Sequence, residues 1–188
     1  METSLQDLNK TAVTNGLIIG ALSSVLGVVT YYVAPALMGS MYFGFGIMLF
    51  SLALYIFFTI DLRKKIGGYW DFKTALKGIF LMAFIAGVLS MAFNFVFYKF
   101  IEPGAFEKIS VFVSEGTSST LENMGMQQDQ IDEAIEKQLE AMKAQFDPTF
   151  TDLAKNFGIA VLIQFIMSLI FAAIFKKTPP VFIQTTEE

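Results

Sequence analysis

The chain offers few side chains with which to do chemistry. Its 188 residues include no histidine and no cysteine. The commonest general base and metal ligand are therefore missing, and neither a disulfide nor thiol chemistry is available. Hydroxyls occur at Ser23, Ser24, Ser51, Ser90 and Ser168. Each lies in an apolar run without a histidine or buried lysine to take its proton, so none reads as an activated nucleophile. Asn94 and Gln164 place amides in similar runs. Asp129, Asp132, Glu133 and Glu136 are close in sequence, but they lack the glycine-containing loop spacing of a calcium-binding EF-hand and read as a solvated helix face. Asp71 suits a helix N-cap better than a catalytic role. There is no phosphate-binding loop and no dinucleotide fingerprint. The expectation is a protein that is not an enzyme and has no catalytic, cofactor-binding or metal-binding residues.

The elements that carry these residues are apolar. Hydrophobic residues make up 54% of the chain and charged residues 16%, with 21 phenylalanines, whereas soluble domains average about 25% charged. The apolar residues gather in runs of about twenty, the length that spans a bilayer. A net charge of −4 argues against a nucleic-acid partner, which needs a basic face. Transmembrane helices are expected over residues 12–34, 41–60, 75–99 and 156–176. The stretch Gly16–Ala34 is too long for a signal-peptide core, and Glu2 and Asp7 oppose Lys10 before it, so a retained helix is expected. Met1–Lys10 reads as a short, poorly ordered leader.

The remaining segments connect the runs. Residues 61–74 form a loop, and Arg63, Lys64 and Lys65 on one side with Lys73 and Lys77 on the other hold it on the cytoplasmic side. Gly67-Gly68 permits its reversal. Residues 102–154 are polar and acidic and should then lie outside. Two amphipathic helices are readable there, at about 105–124 and 128–146. The second shows Ile131, Ile135, Leu139, Met142 and Phe146 at helical spacing. Gly116–Thr120 weakens the first, Gly125 is placed as its C-terminal cap, and Asp147-Pro148 reads as the N-cap and first residue of the last helix. The fold class expected is an all-α integral membrane protein, residues 1–188 forming a single membrane domain. It has four transmembrane helices, with an extracytoplasmic helical hairpin inserted between helices 3 and 4. Both termini are expected to be cytoplasmic, with the lipid bilayer as the first partner.

Small and polar residues suggest how the helices pack. Gly16, Gly20 and Ser24 are spaced by four, as are Ser23 and Gly27, and such spacing lets two backbones approach in lipid. Packing within the chain is the first use of these residues, and a homo-oligomer is the other. The third helix carries Ala86, Ser90 and Asn94 on one face, and the fourth carries Ala160, Gln164, Ser168 and Ala172. Depth matched from the flanking lysines sets Gln164 level with Ser90 and within reach of Asn94. Both amides are expected to point inward, with a polar lining for a solute path as the alternative.

These segments carry a resemblance. Gly67-Gly68-Tyr69, Asp71-Phe72-Lys73, Ala75 and Lys77-Gly78 are similar to the pattern of the DUF4199 family, found mainly in Bacteroidota. The glycine-rich first helix, Pro103, the Gly125-Met126 turn and the ending Phe175-Lys176-Lys177 before Pro179 support it. The resemblance covers most of the chain. It implies four transmembrane helices and an external helical insertion, and it carries over no activity and no functional residue. The functional expectation is a non-enzymatic assembly, scaffolding or regulatory subunit with a membrane or extracytoplasmic protein partner. The alternative is a small transporter or channel subunit built by oligomerisation, its pore lined by Asn94, Gln164 and serines.

Overall fold

The computed structural model describes residues 2–179, and the regular elements among them are helices. These are α1 (Glu2–Val33), α2 (Met41–Lys65), α3 (Phe72–Val96), α4 (Ala105–Asn123), α5 (Gln128–Phe146) and α6 (Phe150–Phe175). A 3-10 turn, Pro35–Gly39, joins α1 to α2, and a π-helical turn, Phe97–Ile101, extends α3. Four helices are long and apolar enough to cross a membrane: α1 from Gln6, α2, α3 with its extension, and α6. The 25 residues of α2 rise about 37 Å at 1.5 Å each, more than the roughly 30 Å of bilayer hydrocarbon. Only 6% of its most apolar window is buried, and Tyr42, Phe45, Leu49, Phe50 and Phe57 all face outward. Water-soluble monomers rarely leave a contiguous apolar patch beyond a few hundred Å². A surface of this kind is the surface of a membrane protein.

Local chemistry sets the helix ends. Asp71 Oδ1 accepts from the Thr74 amide at 2.8 Å, capping α3, and the bonds from Thr74 hold the Asp71 carboxyl below the usual range. Gly67 and Gly68 reverse the chain with φ of 103° and 83°. Gly125, φ 77°, ends α4, and the next amide, of Met126, donates back to the Leu121 carbonyl at 3.1 Å. The start of α6 differs from expectation. Thr149 is the N-cap, in a reciprocal capping box with Asp152, while Asp147 closes α5 and reaches Lys99 at 3.7 Å. A residue before proline is steered away from helical geometry, which favours the later start.

Two further expectations are corrected. The leader Met1–Lys10, expected to be poorly ordered, is helical from Glu2, because fully buried Leu8 packs with Leu62 against Gly78. The Gly116–Thr120 stretch does not interrupt α4, which runs through it. Gly116 is present because the backbone of Gly39 lies against it.

Helix α3 is central. Helix α1 packs along it in parallel, α6 packs on it antiparallel, and α2 rests mainly on α1. Along the α1–α3 seam Gly16 meets the Met82 carbonyl and Ile85, and Gly20 meets the Ala86 carbonyl and Leu89. At one end, Trp70 and Lys177 exchange backbone hydrogen bonds of 2.8 and 3.0 Å, and Trp70 Nε1 donates to the Phe175 carbonyl at 2.8 Å. This ties the α2–α3 loop to the end of α6 and gathers Arg63, Lys64, Lys65, Lys73, Lys77, Lys176 and Lys177 there. At the opposite end, Tyr31, Phe97, Ala105, Ile109 and Val113 form a second core with Leu139, Met142 and Phe146 against it. Each well-buried apolar side chain there contributes about 1.5–3 kcal/mol where water is the reference. Thr117 meets Gln138 at 2.8 Å near the α4–α5 turn, and Phe106 meets Phe146 far from it, the order of an antiparallel pair.

Candidate functional site

The small residues singled out in α1 fall into two groups. Gly16 and Gly20 are buried on α3, and Ser24 is buried with its hydroxyl donating to the Gly20 carbonyl at 2.8 Å. Gly27 has open space around it. On the α3–α6 seam, Ser168 is buried and donates to the Gln164 carbonyl at 2.7 Å. The Gln164 amide lies over Gly87, where a Cβ would overlap it. Ser90 is half-buried and Asn94 is exposed. Among the described residues no hydrogen bond joins Gln164 to Asn94, so the pairing expected from depth alone is not made. The reason is register: the Gln164 amide sits against Gly87, seven residues and about 10 Å of helical rise from Asn94, and beyond that point a wedge lies between α3 and α6 towards α5. A cavity of about 540 Å³ opens in that wedge, with Met91, Asn94, Phe95 and Tyr98 on one side, Asn156 and Ala160 on the other, and Ile109 and Val113 of α4 with Met142, Gln145 and Phe146 of α5 across its end. A smaller cavity of about 230 Å³ lies between α2 and α6 and is lined in part by Gln164 and Ser168.

Two polar clusters escaped the sequence reading. Asn15 is 1% exposed. Its Nδ2 donates to Asp61 Oδ2 at 3.0 Å and to the Phe58 carbonyl at 3.4 Å, and Lys65 pairs with the same carboxylate at 2.9 Å. The Asp61–Lys65 pairing was readable from their spacing. The signal for Asn15 was its place seven residues after Leu8, on the face that also carries Ala12. At the far end, Glu102 accepts from Tyr31 Oη at 2.9 Å and Tyr32 Oη at 2.5 Å, while Lys108 Nζ lies 4.2 Å from the Tyr31 ring centroid, a cation–π contact. The clasp ties the end of α1 to the start of α4.

The clasp has a pH dependence of definite sign. The hydrogen bonds from Tyr32 and Tyr31 hold the Glu102 carboxyl below its usual range, with Lys108 adding to the effect. Its contribution is therefore complete above the ordinary glutamate pKa of about 4.3 and is lost as pH falls through the lower folded value. Protease sensitivity of the α3–α4 junction in detergent should rise on acidification through that window. Glu102→Gln should be more sensitive already at pH 7 and lack the acid step, and an unchanged acid step would contradict the assignment.

The acidic residues of α5 stay apart as chemical groups. Asp129, Asp132, Glu133 and Glu136 are exposed, Glu133 pairs with Lys137 at 2.5 Å, and no group of three or more potential metal-ligating side chains occurs among the described residues. Beside them runs a groove with Phe106, Ile135 and Leu139 at its floor and Asp132, Glu136, Glu140 and Lys143 at its rim.

A family model described as protein of unknown function, DUF4199, matches residues 14–177. The chain belongs to this family. The DUF4199 match runs from α1 to the Lys177 strap, so it takes in all four apolar helices and the α4–α5 pair together. No curated protein and no solved structure matches the chain.

Proposed function

We propose that this DUF4199 protein is a non-enzymatic assembly or regulatory subunit of a bacterial cytoplasmic membrane. The basic end and both termini lie inside, and α4 and α5 form a helical hairpin outside, where they receive a basic, amphipathic segment of a protein partner. The orientation follows from the lysines and Arg63 gathered where α2, α3 and α6 meet, since such residues near spans stay cytoplasmic. The observation that carries the function is the α5 groove, whose apolar floor and three rim carboxylates against one lysine complement a basic amphipathic helix. The ionisable groups that could otherwise do chemistry support the same reading. Asp61 is held by Asn15 and Lys65, Glu102 by two tyrosines, and Asp71 by a helix terminus.

A photo-crosslinking residue in place of Ile135, activated in native membranes, tests this. One discrete adduct is expected, and Asp132→Lys with Glu136→Lys should remove it. An adduct indifferent to charge reversal would contradict the docking face. The transport reading draws on the cavity beside Gln164 and Ser168, and robust ion or solute flux from the purified protein in proteoliposomes would replace the assembly reading with it.

A further inference from the structure

We infer that the wedge between α3 and α6, closed at one end by α5, binds an uncharged glycerolipid: an ester-bearing head against the amides of the wedge and an acyl chain along its apolar wall. The inference concerns a different surface from the α5 groove and holds whichever protein that groove receives. Its volume of about 540 Å³ is within the roughly 300–1,000 Å³ of ligand sites, which combine apolar walls with a few placed polar groups. The polar side chains here are the amides of Asn94, Gln145 and Asn156 and the hydroxyl of Tyr98, and none of them makes a hydrogen bond to another described residue. All three amides are exposed, and each offers two donors and an acceptor to a molecule seated in the wedge. Ester carbonyls and glycerol hydroxyls satisfy both kinds.

Charge narrows the class. No lysine, arginine, aspartate or glutamate lines the wedge. Lys99, four residues beyond Phe95, pairs with Asp147 at 3.7 Å. An anionic head would find no cation in the lining, and a cationic head no carboxylate. Position supplies the source. The wedge spans the last turns of one apolar helix and the first turns of another, where hydrocarbon gives way to headgroups, and Ala160 on the α6 wall is exposed, which leaves the side open to lipid. Met91 and Met142 line it with flexible, polarizable chains that adapt to an acyl tail.

The test uses the full chain in phosphatidylcholine vesicles carrying a trace of photoactivatable diacylglycerol, with photoactivatable phosphatidic acid as the anionic counterpart. The neutral probe is expected to label peptides holding Asn94 and Asn156, saturably, and the anionic probe to give only the diffuse labelling seen on α2. Ala160→Trp, which fills the wedge, should cut site labelling roughly tenfold or more. Should that variant fail to fold, Asn94→Leu with Asn156→Leu alters two exposed positions. It should abolish the preference for diacylglycerol over a photoactivatable alkane while leaving labelling of α2 unchanged. Equal labelling by both head groups, labelling no denser at the wedge than on α2, or a preference surviving loss of the amides would each overturn the inference.

Discussion

Gly116→Leu should detach α4 from the turn between α1 and α2 while leaving α4 helical. A Cβ at Gly116 would overlap the Gly39 carbonyl, and one at Gly39 would overlap the Phe112 carbonyl. Both obstacles are backbone, so neither can swing aside as a side chain would. Overpacking in a core typically costs about 1–3 kcal/mol, and a contact between two backbones belongs at the upper end. Leucine is the better helix former by nearly 1 kcal/mol, so the substitution favours α4 alone while it opposes docking. Helicity by circular dichroism should hold, thermal stability in detergent should fall, and protease cleavage near Met124–Gln127 should accelerate. Gly104→Ala, at a glycine with open space around it, is the control. Stability retained in Gly116→Leu would mean that the crossing is not a tight one.

The second large effect is expected on the α1–α3 seam. At Gly16 a Cβ would sit 2.5 Å from the Met82 carbonyl oxygen and 2.9 Å from Ile85 Cβ. In lipid there is no hydrophobic gain to hold the helices together, and association rests on close packing. Gly16→Leu should push α1 away along the seam and disturb the Asn15–Asp61 bond made from the preceding position. A loss of about 2–4 kcal/mol follows from the overpacking and the hydrogen bond together, read as earlier unfolding in detergent. Gly27→Leu, with nothing within 4 Å, should leave stability unchanged. If both glycines tolerate leucine equally, the parallel seam is misplaced.

The difference between these two glycines shows what was legible in the sequence. Spacing by four identified two small-residue stripes but not which of them α3 would meet, and Ser23 and Gly27 lie on another face, beside Phe43, Gly44 and Ile47 of α2. The same limit applies to Gln164 and Asn94. Matching depth from the lysines set Gln164 level with Ser90, whereas its amide lies against Gly87, three residues and about 4.5 Å of rise away, because the side chain settles where α3 has no side chain of its own. Helix α5 was readable because Ile131, Leu139, Met142 and Phe146 keep one period beside a polar face. The continuity of α4 was hidden because Gly116 reads locally as a breaker, while its reason lies in Gly39, distant in the chain. Asn15 and Glu102 were hidden for a related reason: a buried polar group declares its role through its partners, and Asp61, Tyr31 and Tyr32 come from other turns of the fold.

The central claim is a four-span membrane protein with its basic end inside and α4–α5 outside. The absence of native cysteine lets single cysteines report on it without background. Asp129→Cys on α5 and Lys73→Cys at the start of α3 should be treated in intact cells, with outer membranes permeabilised, with a thiol reagent that cannot cross the inner membrane. Labelling of Asp129→Cys before lysis and of Lys73→Cys only after it is the expected result. Labelling of Asp129→Cys only after lysis would contradict the account.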